Sequence, residues 1–234
     1  MVYQFDSRVR YSEVDEKQEM SLVSVINYFQ DVTTFHSEAI GLGIEHLKEA
    51  SRAWMLSAWQ IEINRLPVFG ENIRVQTWPY GFSGFYGDRN FTLMNENQEL
   101  LVYANSLWIY VDILTGRPVK VSEEEIRGYQ LEEELPMKKA PRKISLPQEG
   151  RRAEQIQVQK HHLDTNMHVN NGQYVLMAQE FLPEGFFVKQ IRVQYCKAAL
   201  LHDTIVPWVY EEEKSVSVAL SDESGRPYAV VRFE

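Results

Sequence analysis

The sequence predicts an α+β protein of two similar halves, each a long helix packed on an antiparallel sheet. Three observations carry this. Apolar residues recur at helical spacing early, at Leu22, Val25, Ile26, Phe29, Val32, Ala39 and Ile40, and again late, at Tyr174, Met177, Ala178 and Phe181. A run of alternating, strand-like segments follows each of these helices. A shift of 149 residues places Asp15 on Asp164, Met20 on Val169 and Asp31 on Glu180, and Gln60-Ile61-x-Ile63 further parallels Gln190-Ile191-x-Val193. One helix on four or five antiparallel strands is a satisfactory pair of layers, because the helix buries its stripe against the sheet. Identity between the halves is low, so an α+β fold without true duplication is the alternative.

Tyr3 to Tyr11 reads as a strand leading into a turn. Ser21 caps a long helix that Gly41 ends, and a short helix covers Ile44 to Ala50. Strands follow at Ala53–Asn64, Asn72–Trp78, Phe85–Met94 and Leu100–Asp112, with turns at residues 95–98 and 115–118. Ser122 followed by Glu125 opens a capped helical turn. Residues 132–152 carry Pro136, Pro141, Pro147 and many charges, and read as a linker between domains at 1–131 and 153–234. Beyond it, a strand near Gln155–Val158 runs into a polar cluster and the second helix. Strands then follow at Val188–Tyr195, Thr204–Tyr210, Ser215–Leu220 and Tyr228–Phe233.

Composition excludes several classes. A 44% hydrophobic, 12% aromatic chain can build a core and is not disordered. No apolar run of membrane-spanning length occurs, so no membrane insertion is expected. The segment Met1–Arg10 lacks a signal-peptide core. The single Cys196 rules out an internal disulfide and suits a reducing cytoplasm. A net charge of −9 argues against nucleic acid as a partner. There is neither a Gly-rich phosphate loop nor a Gly-x-Ser-x-Gly elbow.

The informative stretch is His161 to Asn171. Three of the chain's six histidines fall there among three asparagines and Asp164, more than a turn alone requires. Asp164, Asn166 and His168 sit at i, i+2 and i+4. On an extended backbone they would leave one face together and offer a carboxylate, an amide and an imidazole. Asn170 or Asn171 can cap the following helix, whose free N–H groups and dipole would favour an oxyanion. The plainer reading is a capped helix preceded by a polar loop. A metal site at His162, Asp164 and His168 lacks a supporting ligand pattern, so no metal and no cofactor is expected.

Asp-x-Asn-x-His-Val-Asn-Asn-x-x-Tyr, Asp164 to Tyr174, resembles the signature of acyl-ACP thioesterases, double hot-dog enzymes of fatty-acid synthesis. The resemblance implies two tandem hot-dog domains and hydrolysis of acyl-acyl carrier protein to free fatty acid. It implies Asp164, Asn166 and His168 as catalytic residues, with a further acidic residue from the following strand that activates water. A gapless reading puts Cys196 at that position, and a shift of one puts Tyr195 there. Three roles therefore stay open: His168 as base held by Asp164, Asp164 as base, or Cys196 as nucleophile with His168 as its base.

In the first half, Lys17 stands where Asn166 does and Glu19 where His168 does, so one active site per chain is expected. The first half would shape the acyl pocket, with Trp54 and Trp59 as candidate walls, and Asn170 and Asn171 would lie against substrate at the catalytic turn. The implied partner is an acidic acyl carrier protein bearing the acyl chain, with a homodimer left open. Its candidate docking residues are Lys138, Lys139, Arg142 and Lys143, in a basic stretch that continues to Arg151 and Arg152 and is opposed only by Glu149. An acyl-CoA thioesterase, a non-catalytic acyl-thioester binding protein and a hot-dog dehydratase are the alternatives.

Overall fold

A computed structural model describes all 234 residues, Met1–Glu234. The chain divides into two compact units. The first comprises Met1–Ser57 and Ile61–Lys138, the second Ala58–Gln60 and Lys139–Glu234. No helix is long and apolar enough to cross a membrane.

The first unit begins with β1 (Tyr3–Arg8) and a single 3-10 turn at Tyr11–Glu13, then α1 (Leu22–Ala39), α2 (Ile44–Glu49), β2 (Arg52–Ile63), β3 (Asn72–Ser83), β4 (Tyr86–Asn95), β5 (Leu100–Asp112), β6 (Arg117–Pro118) and α3 (Glu123–Tyr129). Its strands run in the order β1-β3-β4-β5-β2, with β6 on β5. The β1–β3, β3–β4 and β4–β5 ladders are antiparallel. Ser21 caps α1 by accepting from the Ser24 N–H. The helix buries Leu22, Val25, Ile26, Phe29, Val32 and His36, one stripe at helical spacing. Phe29 meets Phe91 of β4 with ring centroids 5.0 Å apart. Burial of each large apolar side chain contributes about 1.5–3 kcal/mol, so this stripe is what seats the helix on its sheet. β3 runs past its expected end at Trp78, because the ladder shifts register between Pro79 and Gly81. Such a bulge is where a strand accommodates proline.

The second unit contains β7 (Arg151–Arg152), β8 (Ile156–Gln157), α4 (Asn171–Gln179), β9 (Gln190–Tyr195), β10 (Thr204–Glu212), β11 (Ser215–Ser221) and β12 (Pro227–Phe233). Its sheet order is β9-β12-β11-β10-β7, with β8 also on β10. Each unit is thus a helix against an antiparallel sheet, the expected α+β architecture. The expectation of a long helix in both halves needs correction. α4 has nine residues against eighteen in α1. Phe181 falls outside it, in a tightened turn where Phe181 N–H donates to Ala178 O. Pro183 then prevents continuation, since the residue before a proline is driven out of the helical region.

The stretch 132–152 is not a free spacer. In the first unit, Trp78 Nε1 donates to Glu133 O at 2.8 Å and Leu135 N–H donates to Asn90 Oδ1 at 2.9 Å. In the second, Ala140 N–H donates to Gln60 Oε1 at 2.8 Å and Ile144 N–H to Gln194 Oε1 at 2.9 Å. Ile144 is buried against Ala219 and Val230, flanked by Leu146, Trp208 and Tyr210. Amide side chains on the strands supply acceptors for a backbone that would otherwise lack partners. The division between the two units falls within this stretch, between Lys138 and Lys139.

Candidate active site

The polar stretch folds as a closed turn, not as an extended strand. Asp164 N–H donates to His168 O at 2.8 Å, and Met167 N–H donates to Asp164 O at 3.1 Å. Met167 takes a positive φ of 62°. Asp164 Oδ1 accepts from Asn166 N–H at 2.8 Å and His168 N–H at 3.2 Å. An Asp side chain that satisfies backbone two residues on is the usual way to hold such a turn. The idea that all three side chains leave one strand face is therefore overturned. Asp164 and His168 flank the loop and are half-buried, while Asn166 sits exposed at its tip.

The first unit contains the same loop. Asp15 N–H donates to Glu19 O at 2.8 Å, and Gln18 N–H donates to Asp15 O at 3.0 Å. Asp15 Oδ1 accepts from Lys17 and Glu19 N–H at 2.9 and 3.0 Å, and Gln18 has φ 62°. Isolated bridges close both loops, Val14 with Met20 and Leu163 with Val169. Upstream, Glu13 Oε2 accepts from Arg10 N–H at 2.8 Å, where His162 Nδ1 accepts from Gln159 N–H at 2.9 Å. Every one of these pairs is separated by the 149 residues seen in the sequence. The carboxylate in this loop thus has a structural task in both units; only the second carries an imidazole, His168, with an amide, Asn166, two residues before it, where the first has Glu19 and Lys17.

The loop is fastened from below. Val169 N–H donates to Ala199 O at 3.0 Å, and His168 bridges Leu200. Ala199 N–H in turn donates to Tyr174 Oη of α4 at 2.9 Å. Burial pushes the Tyr174 phenol up to about 12, so it stays neutral beneath the loop. Asp203 Oδ2 accepts from Leu200 N–H at 2.9 Å and from Tyr228 Oη at 3.2 Å, which pins the neighbouring turn. Tyr174 was visible as a motif residue. Asp203 was not, and its only signal is that Glu71 does the same for Val68 N–H in the first unit, at 3.0 Å.

Asn170 is the N-cap of α4. Its Oδ1 accepts from Gly172 N–H at 2.8 Å, and its carbonyl accepts from Gln173 N–H at 2.9 Å. Two of the N–H groups expected to be free for an oxyanion are therefore engaged, and the dipole of the helix start remains. Asn171 carbonyl accepts from Tyr195 Oη at 3.0 Å, and the Tyr174 and Tyr195 rings lie edge to face at 5.9 Å.

Alternation along β9 separates the two residues that competed for the strand position. Ile191 and Val193 are buried, and Tyr195 continues their face toward α4. Cys196 follows Gln194, whose Nε2 approaches its Sγ at 3.6 Å. Cys196 is exposed as a residue, and the partial desolvation of its thiol raises it, against the opposing pull of Arg142 and Gln194. A raised thiol is a poor nucleophile.

The remaining candidates are dispersed. Trp54 lies in the first unit, its ring 4.7 Å from Tyr110 and 5.9 Å from Phe82. Trp59 falls in the part of β2 assigned to the second unit and is buried. Lys138, Lys139, Arg142 and Lys143 are all exposed. No group of three or more His, Cys, Asp or Glu residues is placed to hold a metal ion.

Helix-on-sheet units of this kind define a protein of hot-dog architecture. The model of the acyl-ACP thioesterase N-terminal domain matches residues 1–129, and that of the C-terminal domain matches residues 146–230. The chain belongs to the acyl-ACP thioesterase family. It is 25% identical over 205 residues to the chloroplastic palmitoyl-acyl carrier protein thioesterase of Arabidopsis thaliana, covering 81% of this chain and 49% of that one. The chain spans about half the length of the curated relatives it matches. Among solved structures, an acyl-ACP thioesterase from Bacteroides thetaiotaomicron VPI-5482 superposes with a TM-score of 0.92 at 21% identity, covering 99% of this chain and 96% of that one. The 12:0-ACP thioesterase of Umbellularia californica gives 0.86 at 20%, covering 100% and 96%.

Proposed function

We propose that the chain hydrolyses the thioester of an acyl chain held on acyl carrier protein and releases a free fatty acid in the cytoplasm. The observation that carries this reading is the contrast between the two loops. One scaffold appears twice, and only the second copy bears Asn166 and His168. A scaffold that lacks an imidazole in one unit and joins Asn166 to His168 in the other points to a single reacting centre, in the second unit.

On this reading His168 takes a proton from water as the water oxygen attacks the thioester carbon. Asn166 donates to the carbonyl oxygen as it becomes an oxyanion, aided by the positive end of α4. The tetrahedral adduct then expels the carrier thiolate, which recovers the proton from His168, and the acid departs. Asp164 holds the loop through Oδ1 and adds negative charge to the loop on which the imidazolium develops. The test is thiol release from purified protein given acyl-ACP and acyl-CoA of several chain lengths. Absence of release from every substrate would sink the reading.

Two further expectations belong to it. Cys196→Ser retains most of the activity, because a water mechanism does not use the thiol. An acyl adduct on Cys196 seen by mass spectrometry, with Cys196→Ser inactive, would replace the water mechanism and leave the thioesterase reading standing. The exposed Lys138, Lys139, Arg142 and Lys143 serve as docking residues for the acidic carrier. Rim charges of this type act mainly on encounter rate and salt dependence. Reversing all four slows acyl-ACP turnover at low salt and spares acyl-CoA. Equal loss on both substrates, or none, would remove these residues from docking.

A further inference from the structure

The Asp164–His168 loop leans on a second turn, and one carboxylate builds that turn. His168 stands opposite Leu200 across an isolated antiparallel bridge, and Val169 N–H donates to Ala199 O at 3.0 Å. Residues directly opposed in this way hold their Cβ atoms about 4.5–5.5 Å apart on one face. The place of the imidazole therefore follows the place of Leu200. Leu200 is fixed in turn by Asp203. Asp203 Oδ2 accepts from Leu200 N–H at 2.9 Å, and Asp203 N–H donates to Leu200 O at 3.1 Å. Between the two, His202 takes a positive φ of 72°. Left-handed backbone is strained for a residue other than glycine and persists where its surroundings hold it. Those ties are present. Val158 N–H donates to Asp203 O at 2.9 Å, and His202 N–H donates to Val158 O at 3.1 Å. Tyr228 Oη donates to Asp203 Oδ2 at 3.2 Å.

The first unit has the same support. Glu19 bridges Val68, Glu71 Oε2 accepts from Val68 N–H at 3.0 Å, and Glu71 N–H donates to Val68 O at 3.0 Å. Gly70, with φ 80°, stands where His202 does. The two carboxylates differ in what holds them. Glu71 accepts from Arg65 Nη1 and Nη2 at 2.9 and 2.7 Å. Asp203 is held by the Tyr228 phenol instead. Desolvation and the Asp203 charge push that phenol up to about 12, so it keeps the proton it donates. Tyr228 is itself anchored, because its carbonyl accepts from Cys196 N–H at 2.8 Å and Lys197 Nζ lies 4.3 Å from its ring centroid.

We infer that Asp203 is a positioning residue for the reaction of the second unit, with Tyr228 as its partner. This role rests on the reading of His168 as the group that takes the water proton. Asp203 acts through Leu200 and not on the substrate. It sets the backbone against which His168 is bridged, and so the distance from the imidazole to the attacking water. A misplacement of about 1 Å from a change away from the chemistry can cost on the order of 10²-fold in rate.

The test measures kcat, KM and melting temperature on full-length protein, and follows the His168 imidazole resonances by NMR. Asp203→Ala, assayed well below its melting transition, lowers kcat about tenfold or more and leaves KM near the wild-type value. Asp203→Asn keeps an oxygen for Leu200 N–H and Tyr228 Oη, and restores kcat toward wild type. Tyr228→Phe leaves the Leu200 bond in place, frees the carboxylate and lowers kcat severalfold. Glu71→Ala removes the same bond beneath the first loop; it lowers the melting temperature and leaves kcat unchanged. The His168 resonances move in Asp203→Ala and Tyr228→Phe, return in Asp203→Asn and stay in place in Glu71→Ala. That readout needs no turnover. A wild type that hydrolyses no thioester would therefore sink the thioesterase reading, while the resonances still decide whether Asp203 places His168. Wild-type kcat in Asp203→Ala, an equal loss in Glu71→Ala, or His168 resonances that Asp203→Ala leaves unmoved would each overturn the role. Should Asp203→Ala fail to fold, Tyr228→Phe with wild-type kcat and unmoved His168 resonances would overturn it as well.

Discussion

His168→Ala and Asn166→Ala each lower turnover by on the order of 10² or more, with the fold intact, when assayed on the acyl thioester the wild type uses best. Acid–base groups contribute about 10²–10⁴ and a single oxyanion donor about 10²–10³, so either loss amounts to roughly 3 kcal/mol or more of barrier. Both side chains can be truncated at little cost to the fold. The hydrogen bonds that build the turn use the backbone N–H groups of Asn166 and His168, which alanine keeps. Asn166 is exposed, so its removal leaves no cavity. The two variants should differ in character. Asn166→Ala removes a donor to the developing oxyanion, whereas His168→Ala removes the group that accepts the proton of the attacking water. Turnover of His168→Ala at the wild-type rate would end the case for this loop as the reacting centre.

The two helices and most strand spans could be read from periodicity, because each buries one face and the pattern of a half-buried element is local. What the sequence could not announce was contact with distant partners. Nothing around Leu135 or Ile144 announces that Asn90 and Gln194 will accept their N–H groups. The early end of α4 followed from Pro183, but the strength of the Tyr174, Met177, Ala178 and Phe181 spacing outweighed it. The candidate site was legible as a set of residues and misread as a backbone. Asp, Asn and His at alternate positions suggest a strand, yet the same Asp caps the N–H groups two and four residues on and closes a turn. The clue was present in the repeat: Asp15 persists where Asn and His do not, as a residue kept for shape would. The support that Asp203 gives Leu200 was hidden too, since Glu71, its counterpart in the first unit, does not fall on the 149-residue shift.

That repeat makes Asp15 a control for Asp164. Asp15→Ala and Asp164→Ala each remove the acceptor of two backbone N–H groups from a turn whose fourth residue already sits at positive φ. Each should lower stability by about 1–3 kcal/mol, and by similar amounts, because the hydrogen bonds are the same. Their effects on turnover should separate. Asp15→Ala, assayed below its melting transition, keeps turnover near the wild-type value, since the first loop lacks an imidazole. Asp164→Ala loses activity as well as stability. Asp164→Asn then divides shape from charge. An amide oxygen can still accept from Asn166 and His168 N–H, so the melting temperature stays close to wild type. The negative charge of the loop is gone, and turnover falls by on the order of 10². Thermal melts and initial rates on the four proteins, wild type included, check this. An active Asp164→Asn enzyme would confine Asp164 to the task Asp15 performs and leave His168 and Asn166 to carry the reaction alone. An inactive Asp15→Ala enzyme that is folded at the assay temperature would mean that the first loop also takes part in turnover.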